Sequence, residues 1–156
     1  MGSTLTVDNI VGATTAANVK MPAGHVLQVV EASGSGIIYF GNSTSSYTDL
    51  ITLNITPKYS NSLIAVHCFQ TLNTSSGNWG TRVRRTTGTA TTVISGEGQS
   101  NTGRLNFVGF KFDSPASTSQ VTYVLQGIAG GGGTDSNLYT VNNPTGGGMI
   151  AMEIAQ

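Results

Sequence analysis

The side chains that most often carry enzymatic chemistry are scarce in this chain of 156 residues. It has two histidines, His25 and His67, and one cysteine, Cys68, although serine is abundant. The Gly-x-Ser-x-Gly elbow that often holds a catalytic serine is absent from the sequence. A zinc site needs about four convergent nitrogen or sulfur ligands, and the seven carboxylates have no paired spacing that suggests glycosidase chemistry. We predict a protein that is not an enzyme and holds no metal or cofactor.

Trp79 is a candidate for ligand binding. It lies next to Asn78 in a polar stretch, residues 74–80 (TSSGNWG), which we predict to be a loop. An exposed tryptophan in such a loop can stack on a sugar, whereas one folded over the core or into a subunit interface has a structural role. Both interpretations stay open. The loops at 75–78 and 134–137 are the candidate sites for a host surface glycan.

Residues 82–85 (RVRR) form a local surplus of positive charge. In an alternating strand, Arg82 and Arg84 share one face and Arg85 points to the other. Over the whole chain seven cations balance seven anions, whereas binding to phosphates needs a basic surplus on one face. We therefore predict solvated or paired arginines and no nucleic-acid partner. Arg82 and Arg84 are candidate ligand or interface residues.

The composition indicates the class of protein that must position these residues. Hydrophobic residues make up 38% of the chain and charged residues only 9%, where a typical soluble chain has about 25% charged residues. Thr, Ser, Asn and 21 glycines take the place of the missing charge. Such a chain, with many β-branched residues, is typical of a single all-β domain with many turns. Since no apolar run approaches the ~18 residues of a membrane span, we predict no membrane insertion.

Short strands separated by turns are predicted along most of the chain. Residues 50–56 alternate, with Ile51, Leu53 and Ile55 on one face, and we expect them to form a hairpin with residues 63–69. Segments 105–112 and 149–154 also alternate, but each has apolar residues on both faces. About eight strands at intervals near ten residues predict an antiparallel β-sandwich or jelly roll over residues 25–156.

Residues 1–24 differ from the rest of the chain. Leu5, Val7 and Ile10 give a short alternating segment, which small residues and a Pro-Ala-Gly turn follow. This stretch is too thin to form a core of its own. We predict a short extended N-terminal arm, residues 1–24, that attaches to another chain or to a larger assembly through Leu5, Val7 and Ile10.

Several segments together resemble the terminal domains of phage tail-fibre and receptor-binding proteins, of the kind found in marine and cyanobacterial phages. They follow one another in order over nearly the whole chain. Tyr123 lies downstream of one of them, the Asp-Ser-Pro turn. The segments are 3–10 (STLTVDNI), 21–30 (MPAGHVLQVV), 53–66 (LNITPKYSNSLIAV), 82–86 (RVRRT), 112–119 (FDSPASTS) and 152–155 (MEIA).

The resemblance implies a homotrimeric virion protein on the particle surface that meets the host. It supplies no defined binding residues. Fibre chains of this kind often carry a long shaft before the terminal domain, whereas here about two dozen residues precede it. We therefore expect a tail-fibre or receptor-binding tip that attaches to the host surface. The alternative is a capsid decoration or head-spike protein that clamps or adorns the shell, and a free lectin-like module is a third hypothesis.

Unprotected sheet edges are a second reason to expect an oligomer. An open sandwich has edge strands, and this chain has few Lys or Pro residues within its strands to guard them. Assembly into a homotrimer would bury those edges. We predict self-association, contact with other virion proteins through the N-terminal arm, and a host surface glycan as a further partner.

Overall fold

The structure is a computed structural model that describes residues 21–34, 36–39, 46–74, 77–100, 103–130, 139–140 and 147–156. Within these residues the regular structure consists of nine strands. The strands are β1 (Val26–Ser33), β2 (Thr48–Ile55), β3 (Leu63–Thr74), β4 (Gly77–Arg85), β5 (Thr91–Ser100), β6 (Gly103–Asp113), β7 (Val121–Gly130), β8 (Tyr139–Thr140) and β9 (Gly147–Ile154).

The strands form two antiparallel sheets that pack face to face. Sheet A has the order β1-β9-β3-β6, with the short β8 also paired with β3, and sheet B has the order β2-β7-β4-β5. The predicted all-β antiparallel sandwich is confirmed. The predicted arm residues Leu5, Val7 and Ile10 lie outside the described residues.

The strand pairs are nested along the chain. β4 pairs with β5, β3 with β6, β2 with β7 and β1 with β9. The pairs β3–β9 and β4–β7 then join these ladders into the two sheets. This is a long hairpin rolled so that its strands are shared between two layers, which is the arrangement of a jelly roll.

The first and last strands, β1 and β9, lie side by side, so the beginning and the end of the sandwich domain are adjacent. The Gly24 amide donates a hydrogen bond to the Ala155 carbonyl at 2.9 Å, and the Ala155 amide donates to the His25 carbonyl at 2.9 Å. The first ladder pair beyond these bonds joins Val26 to Ile154.

The predicted hairpin of residues 50–56 and 63–69 is wrong. β2 lies in sheet B, where it pairs with β7, and β3 lies in sheet A between β9 and β6. Residues 56–62 therefore cross from one sheet to the other. A turn of this length can join strands of either one sheet or two, and the choice depends on partners far away in the sequence. Among the ladders described, β4 and β5 form the hairpin of consecutive strands, across a turn that contains Gly88 at φ +70°.

The core lies between the sheets and follows the period of the strands. Ile51, Leu53 and Ile55 of β2 are buried, as their alternation predicted, and β3 contributes Ile64 and Val66 from the opposite sheet. Such alternation places every second side chain of a strand in the interior.

The sheets approach each other closely along the β5 and β6 edges, where glycine leaves room for a side chain of the other sheet. A Cβ on Gly109 of β6 would lie 2.6 Å from Ile94 Cγ2 of β5, and one on Gly96 of β5 would lie 2.6 Å from Phe107 Cε2 of β6. Both distances are shorter than carbon atoms tolerate. These two glycines let the large side chains opposite them reach the interior.

A search of the described residues for a helix long and apolar enough to cross a membrane finds none.

Candidate functional site

Trp79 and Asn78 lie in a strand and point to opposite sides of it. The predicted loop at 74–80 is corrected, because β4 begins at Gly77 and includes both residues. Trp79 is half-buried against the core, and its indole lies over Gly98 of β5, where a Cβ would be 2.6 Å from Cζ2. Of the two roles considered for this side chain, the structure shows the one in which the ring folds over the core. Asn78 is exposed on the outer side.

The three arginines of β4 alternate as predicted. Arg85 points inward and contacts Asp113, whereas Arg82 points outward and contacts Gln126 on the outer side of β7. Arg84 lies two residues from Arg82 and shares its face. Trp79 is on the inner face, so the structure does not bring the tryptophan and these two arginines together.

Arg82 is held in a fixed orientation on the outer face of sheet B. Its guanidinium carbon lies 3.7 Å from the centroid of the Tyr47 ring, a cation–π contact. Its Nε donates a hydrogen bond to Gln126 Oε1 at 2.8 Å, and Gln126 Nε2 donates to Asp49 Oδ1 at 2.6 Å. We call these five residues, Tyr47, Asp49, Arg82, Arg84 and Gln126, the Arg82 surface.

Two features of the backbone build this surface. Gly80 leaves space on the outer face, since a Cβ there would lie 3.4 Å from the Tyr47 hydroxyl and 2.9 Å from Ile128 Cγ2. A bulge in β2 between Asp49 and Ile51 shifts the register. Because of the bulge, Leu50 and Ile51 are both buried, while Asp49 stays on the outer face opposite Gln126 of β7. Bulges commonly re-aim side chains in this way.

Tyr47, Asp49 and Gln126 were not identified from the sequence. They belong to β2 and β7, or to the approach to β2, and only the sheet order brings them beside β4. A local signal does exist, because Leu50 and Ile51 are consecutive buried residues that interrupt the alternation of β2. Such an interruption is typical of a bulge, and it marks the position of Asp49.

The terminal guanidinium nitrogens of Arg82 remain available for a ligand. Within the part of the chain that the structure describes, Arg82 bonds only through Nε, and Arg84 has neither a hydrogen bond nor an ion pair. A guanidinium fork matches the two oxygens of a carboxylate. Stacking on Tyr47 orients the Arg82 fork in advance, which lowers the entropy lost when an anion binds.

A second polar cluster joins the two sheets from inside. Arg85 Nη1 donates to Asp113 Oδ1 at 3.0 Å and to Oδ2 at 2.8 Å, and the Tyr123 hydroxyl donates to Oδ2 at 2.7 Å. Asp113 belongs to sheet A, and its two partners belong to sheet B. Burial, reinforced by the hydrogen bond to Asp113, raises the pKa of the Tyr123 hydroxyl. This cluster therefore ties one end of the sandwich together.

A third cluster surrounds the fully buried Glu153. Its Oε1 accepts hydrogen bonds from the Lys58 amide at 2.7 Å, the Tyr59 amide at 3.2 Å and the Ser62 hydroxyl at 2.7 Å. Its Oε2 accepts from Gln28 Nε2 at 2.6 Å. One carboxylate thus holds the crossing between β2 and β3 against the last strand.

Both inner clusters join segments on which the resemblance to tail-fibre domains depends. Arg85 of segment 82–86 contacts Asp113 of the Asp-Ser-Pro turn and Tyr123 beyond it, while Glu153 of segment 152–155 binds the turn of segment 53–66. In this chain the residues of those segments hold the sandwich together. Arg82 and Arg84 of segment 82–86 instead lie on the outer face of sheet B.

The residues first considered for catalysis or metal binding lie apart. His25 Nδ1 is 3.0 Å from the Pro22 carbonyl oxygen, and His67 is half-buried on the outer side of β3. Cys68 is buried in the core, where burial raises its pKa to about 11. Over the described ranges, no group of three or more His, Cys, Asp or Glu side chains is arranged to hold a metal ion.

Comparison of the sequence with protein-family models finds no matching family, and comparison with curated proteins finds no matching protein.

Proposed function

We propose that this protein is a non-catalytic structural component of a phage particle, exposed on the virion surface as a homotrimer, which attaches to acidic sugars of the host surface through the Arg82 surface. The observation that carries the proposal is the orientation of Arg82, which is stacked on Tyr47 at 3.7 Å and, among the described residues, hydrogen-bonded through Nε alone. The phage context comes from the resemblance to tail-fibre terminal domains.

Chemistry favours an acidic sugar over a neutral one. Arg82 and Arg84 present two cationic forks on one face. Of the carboxylates on that face, Asp49 is already engaged by Gln126, and Glu97 lies on the neighbouring strand β5, opposite Gly80. A uronic-acid carboxylate would accept paired hydrogen bonds from a fork, and its hydroxyls would find acceptors on the amide and carboxylate neighbours. Each site would be weak, so a homotrimer would gain avidity by presenting three sites at high effective concentration.

Two experiments test the proposal separately. An antibody to the chain, viewed by electron microscopy on intact particles, should label the distal tail or the baseplate, and free protein should compete with infection. Label spread over the head would instead identify a capsid decoration protein. Absence of label from every particle would refute the virion assignment.

The second experiment measures binding of the protein to immobilised polygalacturonate, with neutral galactan as the comparison polymer. Arg82→Ala should weaken binding to the acidic polymer by about 10-fold or more, because a charged hydrogen bond contributes roughly 1.5–3 kcal/mol. Lys111→Ala removes the same charge from the exposed edge strand β6 and should leave binding unchanged. Equal loss in both variants would mean nonspecific charge attraction and would refute the Arg82 surface as the site.

A further inference from the structure

The outer face of sheet A is mainly apolar, apart from a central row that contains Glu31 of β1 and the half-buried His67 of β3. Strand registers align its side chains into rows that run from β1 through β9 and β3 to β6. One row consists of Val29, Met152, Ala65 and Phe112, and a neighbouring row ends in Phe69 and Val108. Between these rows lies Phe110, whose ring meets that of Phe112 edge to face, with centroids 5.2 Å apart. We call this surface the apolar face.

On the apolar face, large apolar side chains point to solvent, where polar side chains are usual. In β6 the inward positions include Leu105, Phe107 and Gly109, while the outward positions carry Val108, Phe110 and Phe112. The outer side of β6 therefore carries at least as many large apolar side chains as its inner side. A sheet with one solvated face normally places its polar residues there.

β9 shows the same arrangement. Its inward side contains Met149, Ala151 and the charged Glu153, whereas its outward side carries Ile150 and two further apolar residues. Two strands of one sheet thus direct apolar side chains to the same outer surface. That agreement indicates a second buried interface rather than scattered exposed residues.

The exposed apolar area is in the upper part of the range found on the surfaces of monomers. Phe110 and Phe112 are each 53% exposed, Val108 is 65% exposed and Val29 is 57% exposed. With ~200 Å² for an aromatic residue and ~150 Å² for a valine, these four residues present roughly 400 Å², and Phe69, which is 37% exposed, adds roughly 70 Å². The largest apolar patch on a typical monomer is about 300–600 Å², and a standard interface buries about 800 Å² per partner. The half-buried Met152 and its neighbours in β9 extend the patch toward the latter value.

The charge distribution of the two outer faces differs. Sheet B carries Arg82, Arg84, Asp49 and Glu97 on its outer face. The three central rows of the apolar face contain one formally charged residue, Glu31 on the edge strand β1, and the half-buried His67 of β3. A charged partner would find little to pair with there. The apolar surface of another copy meets no such requirement, because burying hydrocarbon against hydrocarbon needs no complementary charge.

We propose that the apolar face is the surface through which copies of this chain assemble, with a second copy as its occupant. The inference rests on the oligomeric part of the proposed function and adds the face that the subunits use. It leaves the Arg82 surface, on the opposite sheet, directed away from the contact. Assembly through sheet A therefore leaves every ligand site of the oligomer open to solvent.

Analytical ultracentrifugation of the purified full chain tests the inference. At micromolar concentration the wild-type protein should sediment at two or more times its 16.1 kDa monomer mass. Phe110→Glu places a charge in the middle row of the face, at its β6 end, and should raise the dissociation constant at least about 100-fold, so that the monomer dominates. Thr52→Glu, on the outer face of sheet B, introduces the same charge and should leave the oligomer intact.

Circular dichroism of each variant checks folding, and Val108→Lys provides a second disruption if Phe110→Glu fails to fold. A monomeric wild-type protein would overturn the inference, as would an oligomer that survives both substitutions. Monomers that bind uncharged phosphatidylcholine vesicles through the same residues would also overturn it and would assign the face to a lipid surface. The measurement uses no glycan and no particle, so its failure is distinguishable from failure of the attachment proposal.

Discussion

Replacement of Glu153 by glutamine changes one oxygen to an amide nitrogen at the most connected buried group of the described structure. The four groups around its carboxylate are the backbone amides of Lys58 and Tyr59, the Ser62 hydroxyl and the Gln28 side-chain amide. All four donate hydrogen bonds. A glutamine side chain has one oxygen that can accept hydrogen bonds from these groups. Its NH₂ group replaces the other carboxylate oxygen and therefore lies against a group that is itself a donor.

The cost of Glu153→Gln follows from the best orientation available to the new side chain. With its oxygen at the Oε1 position, three hydrogen bonds remain, but each changes from an ionic to a neutral acceptor and loses about 1 kcal/mol. The new NH₂ group then faces Gln28, whose Nε2 must turn away and give up its 2.7 Å bond to the Thr56 carbonyl. Burying a neutral amide costs less than burying a carboxylate, which offsets part of the loss. We expect a destabilisation of roughly 2–4 kcal/mol.

Urea unfolding at one fixed protein concentration measures this effect, and fluorescence of Trp79, the single tryptophan of the chain, reports the transition. With an m-value of about 2 kcal/mol per M, the midpoint should fall by roughly 1–2 M. Glu97→Gln makes the same chemical change at an exposed position of β5 and should stay within about 0.5 kcal/mol of wild type. Equal midpoints for Glu153→Gln and wild type would refute the view that this carboxylate holds the crossing between the sheets.

Three further predictions concern other buried groups. The Thr81 hydroxyl is buried without a hydrogen-bond partner among the described residues, so Thr81→Val should raise the free energy of unfolding by about 1 kcal/mol; no such gain is expected for Thr71→Val, and a loss at Thr81 would contradict the reasoning. Tyr123→Phe removes the hydrogen bond to Asp113 and should cost about 1.5–3 kcal/mol at neutral pH. Because the folded state raises the pKa of this tyrosine, its stabilising effect is present below pH ~10, the unfolded value, and is lost as the pH rises further; urea titrations should show a shallower loss above pH 10 in the variant, and identical slopes would exclude the effect. A pKa raised to about 11 should slow the reaction of Cys68 with an aromatic disulfide reagent at pH 8 by about 100-fold or more relative to the urea-unfolded chain, and rapid reaction of the native protein would show that this thiol is accessible.

The sequence predicted the fold where local alternation was sufficient. The period-2 pattern of Ile51, Leu53 and Ile55 located β2 and its inner face, and the spacing of Arg82 and Arg84 placed them together. Local patterns in the sequence do not predict the order of the strands in the sheets. The ladder that pairs Val26 with Ile154 joins the two ends of the sandwich, and no local pattern encodes that contact.

The candidate site was only partly predictable for the same reason. Arg82 was identified from its own strand, but Tyr47 and Gln126 reach it from other parts of the chain. Trp79 was placed in a loop because small and polar residues surround it, whereas Gly98 on the neighbouring strand makes space for its ring inside. In β6, apolar residues on both faces left the direction of Phe110 open, since core burial and subunit contact select the same residue types.

The meeting of the two ends of the sandwich has a mechanical consequence. A pull applied between residues 24 and 155 would act first on the hydrogen bonds of Ala155 to Gly24 and His25. It would act next on the Val26–Ile154 pair and would then separate β1 from β9 one residue pair at a time. Strands peeled in this direction resist far less than strands sheared along their length, because the rungs bear the load singly. A domain that transmits tension would therefore be held best by one end together with the broad side of sheet A. Loaded in that way, many rungs and a whole packed face would share the force.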